Sequence, residues 1–241
     1  MIGTPGTELI LINEEFFAES ITREQVDLLL ADAWRHFGTY FFRYSVGIYE
    51  DEIRRVEPLR IRLRDFNLSK SQRRITARNA DLHVEVRPVE ITDASEELFH
   101  RHKLRFKTGV PYSIYDFLSE EPATVPSDAS ELAVYLDERL VAVSYFDEGE
   151  TATSGIYACF DTDFDRRSLG TFTMLKEIEY SIKTGREYYY PGFAYEGPSF
   201  YDYKKRFAAM ETFDWKGNWF PYTPTSLSAA YQVEVVANGV G

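Results

Sequence analysis

Residues 154–195 run SGIYACFDTDFDRRSLGTFTMLKEIEYSIKTGREYYYPGFAY, and the order of elements inside this stretch decides the fold. SGIYACF has the apolar and aromatic content of a strand. DTDFDRRSLG is a loop dense in turn residues. From Leu169 the apolar positions recur at helical spacing through LGTFTMLKEIEYSIKTG, with Gly185 as the stop. YYYPGFAY (188–195) is a second strand, and FYDYKKRF (200–207) a short helix beyond it. Upstream, ELAVYLD and RLVAVSYFD form a hairpin turning at Asp137 and Glu138, so that three strands precede the loop. Before them come a strand LHVEVRPV (82–89), a helix over 92–107, a helical piece at SIYDFL (113–118) and the two-proline loop EEPATVPSDAS (120–130). The N-terminal part predicts a strand at ELILIN (8–13), then a helix over 22–37 with a Thr22–Gln25 capping box and Gly38 as its stop. It continues with an aromatic strand over 39–49 and the alternating strand LRIRLRDF (59–66). VANGVG (236–241) reads as a loose end.

With 241 residues and 44% hydrophobic side chains, the chain is long enough for one large domain or two closely packed small ones, and it can bury a core without covalent staples. Cys159 is its one cysteine, so no intramolecular disulfide or multi-cysteine metal cage can form, which suits a reducing cytosol. No run approaches the roughly 18 apolar residues of a membrane span, and MIGTPGTELILINEE lacks the basic and apolar segments of a signal peptide. The expectation is a cytoplasmic protein with no membrane partner. Its oligomeric state is not legible.

A formal net charge of −12 argues against wrapping nucleic acid non-specifically, because that mode needs many phosphates neutralised by Lys and Arg. The charge is nevertheless segregated: Arg54–Arg87 holds ten basic residues against four acidic ones. Within it, NLSKSQRRITARNADL (67–82) predicts a short helix capped by Ser69 that gathers Lys70, Arg73, Arg74 and Arg78. By itself such a run is a solvated helix face paired to nearby acids. The alternative is a small basic site for a short nucleic-acid end.

The order strand, helix, three-stranded meander, loop, helix, strand resembles the GNAT acyltransferase fold, an α/β architecture (α+β, mixed sheet) that splays where the strand after the central helix leaves the strand before it. The resemblance implies a GNAT-like domain over 81–241, with residues 1–80 as an N-terminal α/β extension packed on it, since no Pro/Gly/Ser-rich linker separates them. It also implies that RRSLGTF (166–172) presents backbone N–H groups at a helix N-terminus to a phosphate-bearing acyl donor. Arg167 and Gly170 fit the first half of the acyl-CoA loop pattern, whereas Phe172 occupies its last small position.

Two blocks carry a narrower resemblance: RIRLRDFNLSKSQRRITARNADL (60–82), and FDTDFDRRSLGTFTMLKEIEYSIKTGREYYYPGF (160–193) continuing to YDYKKRF (201–207). Together they resemble the aminoacyl-tRNA–protein transferases of the N-degron pathway, the arginyltransferases and the bacterial leucyltransferases for N-terminal Asp and Glu. The likeness extends from about Trp34 to Trp219. It implies an enzyme moving an aminoacyl group, arginyl or leucyl, from aminoacyl-tRNA to the N-terminal amine of a protein or peptide. Family members usually carry cysteines just before the first block, for an iron–sulfur cluster or metal. Here that place reads FFRYSVGIYEDEIRRVEPLRI (41–61), without a cysteine, so no cluster, metal or other cofactor is expected. Where the family tends to have Arg-Pro after its YK motif, Ala208 and Ala209 follow Tyr203 and Lys204, which leaves the acceptor open.

The donor ester is already activated, so the protein's work is to hold two substrates in attack geometry, worth up to ~7–11 kcal/mol, and to stabilise an oxyanion. No nucleophilic side chain is needed, in keeping with the absence of a convincing triad around His36, His83, His100, His102 or Cys159. Cys159 reads as buried in an apolar strand. His100 and His102, two apart on a helix, read as exposed structural residues rather than a metal site. The resemblance assigns Ser69, Lys70, Gln72, Arg73, Arg74 and Asn79 to phosphates and sugars of the tRNA acceptor end, with Arg167 and the N–H groups of Ser168, Leu169 and Gly170 deeper in. Alternation puts Tyr188 and Tyr190 on one side of their strand, and Tyr190, where the sheet splays, is the candidate for lining the reaction site. Asp161, Tyr195 and Asp202 are candidate bases for the acceptor ammonium. Lys204, with Tyr203 beside it, is a candidate contact for an acidic acceptor residue or a tRNA phosphate. Two other classes stay open: a GNAT N-acyltransferase using acyl-CoA, which leaves SKSQRR unexplained, and a non-catalytic relative that binds charged tRNA or peptide without turnover.

Overall fold

A computed structural model describes residues 11–107 and 109–223. Strands β1 (Asn13–Phe17), β2 (Arg35–Phe37) and β3 (Tyr40–Tyr44) make a small antiparallel sheet in the order β1-β3-β2. A nine-stranded sheet comprises β4 (Val46–Tyr49), β5 (Glu52–Arg62), β6 (His83–Pro88), β7 (Ala129–Leu136), β8 (Arg139–Glu148), β9 (Ala152–Phe160), β10 (Tyr188–Tyr195), β11 (Met210–Phe213) and β12 (Trp219–Pro221). Its order is β12-β11-β5-β10-β9-β8-β7-β6, with β4 paired to β5; β9 and β10 are parallel and the other pairs antiparallel. The α-helices are α1 (Arg23–Ala31), α2 (Lys70–Arg78), α3 (Asp93–Lys103) and α4 (Leu169–Lys183). The architecture is mixed α+β, built on a large mixed sheet.

Both faces of the sheet are covered. On one, α4 packs Leu169 and Phe172 against Leu132, Val134 and Phe146, and Met174, Leu175 and Ile178 against Leu59, Ile61 and Tyr189. On the other, α3 sets Leu98 and Phe99 against Val143, Tyr145 and Cys159, while α1 sets Val26 and Leu30 against Ala152 and Tyr190. Each fully buried Leu or Phe of this kind contributes about 1.5–3 kcal/mol. The hairpin β7–β8 turns at Asp137, whose φ of 53° is the left-handed conformation a tight turn requires.

Several boundaries depart from the sequence expectation. The helix predicted over 22–37 ends at Ala31; Asp32 caps it, Ala33 turns left-handed at φ 60°, and Arg35–Phe37 pair with Tyr40–Phe42. Strand pairing outweighs the helical periodicity there, and Gly38 (φ 51°) turns a hairpin rather than stopping a helix. The first strand lies at Asn13–Phe17 instead of 8–13, with residues 8–10 outside the described residues. The aromatic run breaks into β3 and β4 at Ser45, and β5 begins at Glu52 and gives way to a 3-10 turn at Leu63–Asp65. α3 stops at Lys103 rather than at 107. His102 is buried, not exposed, because its Nδ1 lies 3.1 Å from the Phe160 carbonyl and 3.2 Å from the Phe160 N–H nitrogen at the end of β9. VANGVG lies outside the described residues. The expected boundary at 80/81 falls between α2 and β6, and β5 from its first side is an internal strand between β10 and β11.

Candidate functional site

β9 and β10 pair only through Ala152–Ser154 and Tyr188–Tyr190, and beyond these residues they part. Both strands contribute to the parting. Pro191 has no N–H to donate, and the register of β10 on β5 shifts between Tyr189 and Gly192. On β9 the register against β8 shifts between Gly155 and Tyr157, a bulge that bends the strand. The sheet opens here into a cleft.

Four ionisable side chains from separate elements meet at this opening. Arg35 of β2 donates to Ser154 Oγ and to the Gly155 carbonyl on the β9 wall. Lys204, on the 3-10 turn Phe200–Arg206, donates to the Phe193 carbonyl on the β10 wall at 3.2 Å. Glu177 of α4 accepts the phenol proton of Tyr189. Two glycines make room: a Cβ on Gly192 (φ 95°) would stand 3.2 Å from Lys204 Nζ and 3.8 Å from Arg35 Nη2, and one on Gly155 would stand 3.0 Å from Tyr189 Oη and 3.2 Å from Glu177 Oε2.

The cluster is electrostatically incomplete. Among the described residues no carboxylate lies within ion-pair distance of Arg35 or Lys204. Burial, with the Arg35 charge adding to it, pushes the Lys204 amine down to about 7. Burial pushes the Glu177 carboxyl up to about 7, against the opposing pull of the Tyr189 hydrogen bond and the Arg35 charge. Burial also raises Tyr189 well above its ordinary value. A fixed cation, an amine that is half neutral near pH 7 and a carboxyl that is half protonated can together receive an anionic group and move a proton.

A second feature lies at the start of the central helix. α1, α2 and α3 each open with a capping box, Thr22–Gln25, Ser69–Gln72 and Thr92–Ser95. α4 does not: Ser168 is left-handed (φ 55°, ψ 47°) and its side chain makes no cap, so the first N–H groups of this 15-residue helix lack a side-chain acceptor. α2 is fastened beside that end. Asn79 Nδ2 donates to the Arg167 carbonyl at 2.9 Å, Arg78 donates to the Arg166 carbonyl, and Arg167 pairs with both oxygens of Asp81 at 2.8 Å. The structure thereby brings the two sequence blocks together.

The basic segment divides cleanly. Arg54 pairs with Glu52, Arg55 with Glu196, Arg60 and Arg62 with Glu211, Arg64 with Asp65, and Arg87 with Glu131. Lys70, Arg73, Arg74 and Arg78, all on α2 and all exposed, have no carboxylate partner among the described residues.

The residues singled out from sequence fall into different places. Ser69 and Gln72 serve the α2 cap, and Gln72 and Asn79 are buried, so these three hold the helix in place while Lys70, Arg73 and Arg74 face outward. Ser168, Leu169 and Gly170 stand at the uncapped end of α4, with the Leu169 side chain in the core. Tyr190 turns its ring to Val26, Leu30 and Trp219, and it is Tyr189 that meets the ionisable cluster. Asp161 is buried at the other end of β9, held by Arg139 and by Arg101 at 3.2 Å. Asp202 closes a capping box with Ser199, and Tyr195 packs on Tyr49 and Tyr201. Lys204 reaches the cleft; Tyr203 packs against the core cluster beneath it, where burial pushes its hydroxyl up to about 12. Sequence reasoning missed Arg35, hidden in a supposed helix, and Glu177, whose signal was a carboxylate on the buried stripe of α4.

The cysteine-held cluster of the resembled family has no ligands in this chain: Cys159 is its one cysteine, is buried in β9, and burial raises its thiol. No group of three or more His, Cys, Asp or Glu among the described residues could hold a metal ion. No helix among them is long and apolar enough to cross a membrane.

Comparison with known proteins bears on this cleft. Residues 94–214 match the family model described as the arginine-tRNA-protein transferase C terminus. An aspartate/glutamate leucyltransferase of Helicobacter hepaticus is 28% identical over 204 residues, 81% of this chain and 82% of the relative. One of Xanthomonas axonopodis pv. citri is 34% identical over 181 residues, 66% of this chain and 68% of the relative. Among solved structures, L-PGS from Bacillus licheniformis aligns over 77% of this chain and 55% of its own, with 14% identity and a TM-score of 0.44.

Proposed function

Because the chain belongs to the aminoacyl-tRNA–protein transferase family, we propose that its reaction takes place in the cleft between β9 and β10, with Arg35 and Lys204 as the groups that act on the reacting atoms. The enzyme transfers an aminoacyl group from aminoacyl-tRNA to the N-terminal amine of a protein. The names of the relatives support leucine as the group transferred and N-terminal Asp or Glu as the acceptor, which would make the product a substrate of the N-degron pathway. The parting of two parallel strands ahead of an uncapped helix supports a GNAT-like reading of the fold. A donor drawn from charged tRNA supports a cytoplasmic setting.

The observation that carries the assignment is the meeting of Arg35 and Lys204 at the opening with no carboxylate in ion-pair distance among the described residues. In the proposed sequence, neutral Lys204 Nζ takes a proton from the acceptor ammonium. The freed amine attacks the ester carbonyl, and the carbonyl oxygen becomes an oxyanion facing Arg35. When the ester C–O bond breaks, the Lys204 ammonium gives that proton to the departing 3′-oxygen; Lys204, neutral again, takes the second proton from the nitrogen as the amide forms and releases it to solvent. A base poised near the working pH suits this two-way proton transfer, and Lys204 at about 7 is so poised. A pre-oriented cation beside a developing oxyanion is worth several kcal/mol because no reorganisation is needed at the moment of reaction. Glu177 and Tyr189 act as positioning residues beneath the pair. The cations of α2 and the open end of α4 receive the tRNA backbone, a reading favoured over acyl-CoA by Lys70, Arg73, Arg74 and Arg78, which have no carboxylate partner among the described residues.

The experiment is single-turnover transfer from tRNA charged with each labelled amino acid to peptides that differ at their N-terminal residue. Label is expected to pass from leucyl-tRNA to peptides beginning with Asp or Glu. Transfer from another charged tRNA would correct the donor, and no transfer from any would overturn the reading.

A further inference from the structure

Just beyond α3, the Arg105 guanidinium lies among three rings, 4.9 Å from the centre of Phe160, 5.0 Å from Phe200 and 5.6 Å from Phe106. Arg105 is exposed and pairs with no carboxylate among the described residues. Phe200 is 51% exposed, which leaves ring surface open beside the Arg105 guanidinium. The position of the group is as informative as its composition. Phe160 rests on the first turn of α4, where a Cβ on Gly170 would come 2.8 Å from Phe160 Cε1. Phe200 opens the turn that carries Lys204, and its ring centre is 6.4 Å from that of Tyr203. Rings and cation therefore lie between the uncapped helix end and the cleft, on the route a single-stranded donor end must take from its backbone contacts to the reacting ester.

We infer that Phe200 and Arg105 form the subsite for the last nucleotide of the donor tRNA: its base stacks on the exposed face of Phe200, and Arg105 takes the phosphate joining it to the preceding nucleotide. Any base offers a π-face to an aromatic platform, and an adjacent arginine matches the phosphate that comes with it. An acyl side chain would use the rings and leave the Arg105 charge unmatched. The inference rests on the donor being aminoacyl-tRNA.

The test compares binding of a complete uncharged tRNA with binding of the same tRNA lacking its 3′-terminal adenosine, using the full chain and the variants Phe200→Leu, Phe200→Trp and Arg105→Gln. The wild type is expected to prefer the complete tRNA by roughly 5- to 150-fold, the range of one base–aromatic stack. Phe200→Leu, which keeps apolar bulk without a π-face, is expected to bring the ratio toward one, and Phe200→Trp to retain it. Arg105→Gln is expected to weaken the complete tRNA and leave the shortened one unaffected, since that phosphate leaves with the adenosine. A Phe200→Leu ratio equal to the wild-type ratio overturns the inference, as does a change in which aminoacyl group is used without a change in the ratio. A wild type that transfers normally yet binds both tRNAs alike also overturns it while leaving the proposed function standing; a wild type that neither binds tRNA nor transfers overturns both.

Discussion

Two polar clusters hang from consecutive residues of β2, and they are built on opposite terms. His36 places Nδ1 2.8 Å from the Gly38 carbonyl and Nε2 2.9 and 3.0 Å from the two oxygens of Asp147, which also accepts from Ser127 Oγ at 3.0 Å. Every side chain in that knot is buried and each has its partner inside it. Arg35, one residue earlier, reaches a cleft where it and Lys204 have no carboxylate in ion-pair distance among the described residues and where burial lifts the Glu177 carboxyl to about 7. A buried polar cluster that serves the fold closes on itself, because each unmatched group costs stability. One that stays open points to a ligand that completes it.

The largest test of this contrast is Lys204→Met. It removes the proposed proton acceptor while keeping a side chain of similar length, and single-turnover transfer is expected to fall by about 10²–10⁴-fold with the thermal midpoint not lowered. Activity within a few-fold of wild type would remove Lys204 from the chemistry. Asp147→Ala is the counterpart in the closed cluster. It strands His36 Nε2 and Ser127 Oγ, and at about 1–3 kcal/mol for each unsatisfied group the urea midpoint is expected to drop sharply while transfer per folded molecule holds. Loss of transfer without loss of stability would erase the distinction between the clusters.

The closed cluster and the open one also differ in how far the sequence revealed them. Local signals were legible: the Ser69 cap, the Gly185 stop, the turn at Asp137, and the strand YYYPGFAY with its interrupting proline. Each depends on residues a few positions apart. The cleft depends on contacts that no local pattern encodes. Arg35 reaches Ser154 across 119 residues, and its strand was hidden because TREQVDLLLADAWRHF keeps helical periodicity past the true helix end. The surroundings of the candidate bases were hidden on the same ground. Asp161 and Asp202 are carboxylates near the right elements, but partners supplied by the fold, Arg101 and Arg139 for one and Ser199 for the other, occupy them. The family resemblance singled out the α2 segment, and the structure sorts that helix's outward cations from its inward cap.

Glu177→Gln sharpens the contrast through stability. The folded carboxyl titrates at about 7, above its ordinary 4.5, so the folded chain binds more protons than the unfolded one between those values. The stabilisation is fully present below about pH 4.5 and is lost as the pH rises through about 7. Lys204 runs the other way: its folded value of about 7 lies below 10.5, so stability is recovered between those values as the pH rises. The open cluster therefore weakens the fold most near neutrality. Glu177→Gln is expected to flatten the acid limb of the pH–stability curve and to gain about 1–3 kcal/mol at pH 8, measured by denaturant titration across pH. An unchanged limb would mean that the carboxyl is already matched within the fold.

The smallest expected effects lie on α2, where open and closed polar groups share nine residues. Lys70→Gln and Arg74→Gln remove exposed cations that have no partner among the described residues, and each is expected to lower tRNA affinity a few-fold. Each should also reduce the slope of log affinity against log salt by about 0.7–0.9, the counterion released per phosphate contact, with no change in thermal midpoint. Gln72→Leu acts on the buried half of the capping box. It is expected to cost about 0.5–2 kcal/mol of stability, the range for lost caps, and to leave the salt slope as it was. The two readouts separate because they belong to different partners: the cap's partner is the helix itself, whereas the proposed partner of Lys70 and Arg74 is a tRNA phosphate. If Gln72→Leu changed the slope as much as Arg74→Gln did, the affinity would depend on the integrity of α2 as a whole, and the division between inward cap and outward cations would fail at the scale of a single helix.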